Sequence, residues 1–216
     1  MNTPKILLLL GLTVFLAAGC GGKSNGSQAP AAAASSTSTS SDSTAPAPAA
    51  VDDDGITARA LLEPVMVAAR QWQPDAELVL VTTSMAEGPK HAFWFYDVQS
   101  RSKGVCTRIR ALANGTVENV GTGDACVLMK PFSGGFVDSP VAWEAARAAG
   151  FDPGDSAQFG LRFQRDEALP APRECWVLWS DADDDEAQGV TRGWCVDPVT
   201  GQFVVRLSGK GRIEPL

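Results

Sequence analysis

The sequence predicts an α+β fold built from two similar units, each a helix packed on an antiparallel sheet of about four strands. Three observations predict it. Apolar residues recur at helical spacing over residues 60–72 and again over 139–149. Four β-patterned runs follow each helix, and Asn114-Gly115 and Thr200-Gly201 stand at matching turns late in each half.

The first helix is read from Ala60, Leu61, Val65, Ala68, Ala69 and Trp72, which fall on one face. Pro64 suits the first turn of its main body, with Thr57 to Glu63 as a lead-in, and Gln73-Pro74-Asp75 ends it. Strands are expected at Ala76–Thr83, Ala92–Val98, Gly104–Leu112 and Thr116–Val120. Asn-Gly between the last two marks a hairpin, because both residues accept positive φ. In the second half, Ser139 is expected to cap a helix opening with Pro140 and stopping at Gly150. Strands then follow at Ala157–Phe163, Glu174–Ser180, Val190–Val196 and Gln202–Leu207. The units are bounded at 56–132 and 133–216, with the flexible Ser133-Gly134-Gly135 at the join.

Residues 1–55 read differently. Lys5, an apolar run from Ile6 to Leu16, and Ala17-Ala18-Gly19 before Cys20 form an export signal over 1–19. The run is shorter than the roughly 20 apolar residues that span a bilayer. Small residues immediately before a Cys resemble the bacterial lipobox, which implies acylation of Cys20. The alternative is an ordinary secretory signal that leaves Cys20 as an odd thiol. Residues 20–55 then form a tether. Between Ala29 and Ala50 the only charge is Asp42, and no large apolar side chain is available to offset the ordering entropy. The expected location is the cell envelope, lipid-anchored on the periplasmic or extracellular face. Gly21 after the Cys favours an outer membrane where the cell has one.

Over residues 51–216 the formal charge is −8, from 16 basic against 24 acidic side chains. That balance argues against a nucleic-acid partner, which requires a basic face. Besides Cys20 there are Cys106, Cys126, Cys175 and Cys195. An even number in an exported chain reads as two disulfides. Three pairings are possible, and the strand reading favours Cys106–Cys126 and Cys175–Cys195. A hairpin centred near Asp184–Glu186 would set Cys175 opposite Cys195 and Trp176 opposite Trp194. A zinc site is the rival, weakened by the absence of any Cys-x-x-Cys.

The closing strands, Gly-Trp-Cys-Val-Asp-Pro-Val-Thr-Gly-Gln-Phe-Val, resemble the PepSY domain through Trp194, Val196, Asp197, Thr200, Gly201 and Val204. The helix residues Ala145, Ala146 and Gly150 fit as well, and the first half matches through its helix, Trp94 and Asn114-Gly115. The resemblance implies a noncatalytic envelope module, in some members one that restrains peptidases. The tandem, disulfide-stapled arrangement is also similar in outline to β-lactamase inhibitory proteins.

No catalytic residues, metal ligands or cofactors are expected. His91, the one histidine, lies beside a turn with no motif around it. The acidic run Asp181 to Glu186 lacks the Gly and Glu positions of an EF-hand, and reads as a polar hairpin tip. Trp176, Trp179 and Trp194 share one hairpin, and Trp176 and Trp179 have opposite parity, so at least one of them points away from the core. These three are the candidate binding residues. The function expected is therefore a lipid-anchored, noncatalytic module binding an envelope protein or peptide. A hydrolase with an unrecognised site and a structural cell-wall lipoprotein are the alternatives.

Overall fold

The computed structural model describes residues 55–154, 157–185, 190–208 and 212–213. The export signal, Cys20 and the tether lie outside the described residues. Among the described residues two helices, α1 (Leu62–Trp72) and α2 (Ser139–Ala148), accompany nine strands. The strands are β1 (Ala76–Ala86), β2 (Phe93–Ser100), β3 (Val105–Leu112), β4 (Val117–Asn119), β5 (Ala157–Arg165), β6 (Arg173–Asp185), β7 (Val190–Val196), β8 (Phe203–Arg206) and β9 (Arg212–Ile213).

The two halves do not form the two separate helix-on-sheet units expected from the sequence. Eight strands form one continuous antiparallel sheet in the order β4-β3-β2-β1-β5-β6-β7-β8, with β9 beside β5. The seam is β1 against β5, from Leu80 opposite Arg162 to Ala86 opposite Ala157. Two isolated four-stranded sheets would each leave one of these strands as an edge, with a row of unpaired N–H and C=O groups. Pairing them removes both edges at once. It also merges the cores: Val65 and Ala69 of α1, Ala142 and Ala146 of α2, and Val81, Trp94, Leu161 and Trp176 of the sheet belong to one apolar cluster.

The two indoles next to the seam carry this arrangement. Trp94 and Trp176 are fully buried and meet edge to face at 6.3 Å. Each still satisfies its N–H. Trp94 Nε1 donates to the Ile56 carbonyl at 2.9 Å, and Trp176 Nε1 to the Val137 carbonyl at 2.9 Å. Both carbonyls lie just ahead of a helix, so each ring packs the core and pins the chain entering its helix. Tyr96 does the same through its hydroxyl, which donates to the Ala58 carbonyl at 2.7 Å.

Asp138, not Ser139, is the N-cap of α2, and its carboxylate accepts from the Ser139 N–H at 2.7 Å. It also accepts from Thr57 Oγ1 at 2.6 Å and from the Arg59 N–H at 3.0 Å. Ser139 is fully buried, accepting from the Ala58 N–H and donating to the Pro89 carbonyl. These two residues join the lead-in of α1 to the start of α2.

Both disulfides are formed, Cys106–Cys126 with Cα atoms 5.8 Å apart and Cys175–Cys195 with 5.3 Å. Each closes a loop of 20 residues, a constraint on the unfolded chain worth about 3 kcal/mol. The β6–β7 register differs from the expectation. Cys195 lies opposite Val177, and Trp194 opposite Leu178, so the Cys175–Cys195 bridge is diagonal. The irregularity between Trp179 and Asp184 displaces the hairpin centre on which the expected register rested.

Candidate functional site

Strand alternation sorts the sheet's two faces. On β2, Trp94, Tyr96 and Val98 enter the core beneath the helices, so Phe93, Phe95 and Asp97 turn to the opposite face. Ile109 and Ala111 of β3 are core in the same way, which places Arg108 and Arg110 beside Phe95 and Asp97. Among the described residues no helix lies on this second face.

Its two halves differ. Over β6 to β8 it carries a small apolar cluster of Leu169, Cys175, Val177, Trp179, Cys195 and Leu207, with Val204 and Val205 against it. Arg162, one of the few buried charges, lies over the Trp179 ring at 4.7 Å and donates to Gln164 Oε1 at 2.8 Å. Burial pushes its pKa down to about 10. Over β2 and β3 the face is half-exposed and mixed in character. His91, Phe93 and Phe95 form a row, with ring centroids 5.1 and 5.2 Å apart. The Arg108 guanidinium covers Phe95 at 5.2 Å and holds Asp97 through two hydrogen bonds of 2.6 and 2.8 Å. The hydrogen bond to Asp97 raises the Arg108 pKa against the opposing cost of burial. Arg110 pairs with Glu118 at 2.6 Å one strand further out. Aromatic rings flanked by fixed, oppositely charged pairs offer apolar contact and directed hydrogen bonding at once, as protein-binding patches do.

The three tryptophans chosen from the sequence do not gather. Trp176 and Trp194 are 0% and 1% exposed and lie in the core beneath the helices. Trp179 is on the helix-free face, and at 8% exposure it is nearly covered. Its Nε1 is buried without a hydrogen-bond partner. His91 bridges to Ile56 across the chain and turns its ring onto Phe93, with Nδ1 3.2 Å from the Phe93 carbonyl oxygen. Asp181 to Asp185 continue the backbone of β6, and Glu186 lies outside the described residues. Among the described residues no three His, Cys, Asp or Glu side chains gather as metal ligands, and no helix is long and apolar enough to cross a membrane.

Sequence reasoning missed Phe93, Phe95 and Arg108. A signal was present: in Phe93-Trp94-Phe95-Tyr96 the alternation separates two phenylalanines from the two polar-tipped rings. Which pair faces the helices depends on tertiary packing.

Two clefts border the irregular segment between β4 and α2. One, of about 360 Å³, lies among Arg59, Leu62, Met66, Leu78, Phe132 and Phe136. The other, of about 440 Å³, lies among Phe163, Pro170, Pro172, Arg173, Asp197 and Val199. Burial opposes ionisation of Asp197, but hydrogen bonds from Thr200 and Val199 and the adjoining Arg173 outweigh it and lower its pKa.

No protein-family model, curated protein or solved structure matches this chain.

Proposed function

We propose that the chain is a noncatalytic binding module of the cell envelope, held to a membrane through Cys20 and meeting a protein or peptide partner with the helix-free face over β2 and β3. The observation that carries this reading is the half-exposed row of Phe93 and Phe95 with Arg108 laid over it. Rings left partly in water on a rigid strand, when the same strand buries Trp94 and Tyr96 completely, are the kind of anchor that dominates binding energy. The two disulfides support an oxidising compartment. The PepSY-like closing residues Trp194 to Val204 support a noncatalytic role. Trp176 and Trp194 drop out as contacts, because burial removes them from any partner.

The test is capture of a partner from detergent-solubilised envelope by the oxidised chain, repeated with Phe95→Ser and Arg108→Ala. Both side chains are on the face and outside the main core, so melting temperature should stay near that of the native chain. A specific partner retained by the native chain and lost from both variants is the expected result. Equal retention by all three would sink the assignment of this face.

A further inference from the structure

The two disulfides close loops of equal length but sit in different surroundings. Cys175 and Cys195 are both 0% exposed, within the apolar cluster of the helix-free face. Cys106 and Cys126 are both partly exposed, at the outer side of β3, and Asp124, Ala125 and Val127 around Cys126 are exposed, Val127 to 76%. Thiol–disulfide exchange requires a thiolate to reach a sulfur atom. At Cys175–Cys195 burial opposes that approach until the sheet opens, whereas Cys106 and Cys126 are both partly exposed on the folded chain.

What the accessible bridge holds is the segment from Val120 to Val137, which joins the two halves without helix or strand beyond single bridges. Its first part runs along β3, where the Cys106 N–H donates to the Asp124 carbonyl and the Cys126 N–H to the Gly104 carbonyl. Its middle is clipped by the Gln99 side-chain amide, which donates to and accepts from the Met129 backbone, both at 2.8 Å. Beyond that, the Phe132 N–H reaches the Leu78 carbonyl and the Ser133 N–H reaches Glu174 Oε1 at 2.7 Å. Residues 131–136 wall the cleft beside α1, and Ser133 also lines the second cleft. The segment is a strap anchored covalently near its start and, at its far end, by Phe136 in the core and by the Val137 N–H, which donates to the Pro198 carbonyl.

We propose that Cys106–Cys126 is a reducible latch: an envelope dithiol opens it while Cys175–Cys195 stays closed, and opening frees the strap that walls the cleft beside α1. One thiolate of the dithiol attacks a sulfur of the bridge, giving a mixed disulfide and one free protein thiolate. The second thiolate of the reductant displaces the other protein sulfur. The reductant leaves oxidised by two electrons, and Cys106 and Cys126 each gain a proton. The cleft beside α1 is thereby made responsive to the redox state of the compartment, whatever the helix-free face binds.

The test treats the full oxidised chain with graded dithiothreitol under native conditions. Alkylation and peptide mass spectrometry then score each bridge, and hydrogen exchange scores the strap. Cys106 and Cys126 are expected to become alkylated on the order of tenfold or more faster than Cys175 and Cys195. The Cys126, Met129 and Phe132 amides should then lose protection, while those of β5 and β6 keep theirs. Parallel opening of the two bridges would overturn the latch, as would unchanged protection at Met129 and Phe132 once Cys106–Cys126 is open.

Discussion

Asp75, in the turn after α1, accepts hydrogen bonds from the Ser102 N–H at 2.9 Å and from Ser100 Oγ at 2.7 Å. Those donors, the Ser102 N–H above all, hold its pKa down at about 2, against an ordinary 3.8. A folded-state pKa below the unfolded one means that the carboxylate stabilises the fold above pH 3.8 and that this is lost as pH falls toward 2. Asp75→Asn should therefore melt below the native chain at neutral pH, with the difference shrinking across that window. A difference in melting temperature that does not change with pH would contradict the account. The tryptophans teach a different lesson at the same scale. Opposite parity of Trp176 and Trp179 was legible from the strand, and it does place them on opposite faces. Which face the helices cover was not legible, because it rests on long-range packing, with Trp176 reaching the Val137 carbonyl 39 residues away in sequence.

Among the elements, the helices and the strands up to β8 follow from local pattern, since apolar period, Pro64, Pro140 and the Asn114-Gly115 turn all act within a few residues. What local pattern left out is long-range. Leu78 to Leu80 contains an irregularity that shifts β1 against β2, and the two-residue β9 pairs with β5 from the far end of the chain. The α2 cap shows how a near neighbour can mislead. Ser139 before Pro140 is a good cap by composition, but Asp138 takes the role and Ser139 is drawn inward to Ala58 and Pro89. Asp138→Ala removes the cap together with its bonds to Thr57 and Arg59, and is expected to cost about 2 kcal/mol in denaturant unfolding. Asp138→Asn keeps an accepting oxygen and should recover most of that. An alanine variant as stable as the native chain would show that the link between the two helix starts contributes nothing.

For the molecule as a whole, the decisive fact is the β1–β5 seam. Each half carries the pattern of a helix on four strands, and nothing in either pattern says whether the two sheets stay apart. Joining them produces a broad sheet whose one face is covered by α1 and α2, and whose other face is apolar over β6–β8 and half-exposed over β2–β3. The proposed function depends on that asymmetry. The most direct measurement places a photo-crosslinking amino acid at Phe95 on the helix-free face and, separately, at Val67, which is 45% exposed on α1. Irradiation in intact envelope should link a protein or peptide to position 95 and leave position 67 unlinked. The same adduct at position 67, with none at position 95, would place the binding surface on the helices and contradict the account.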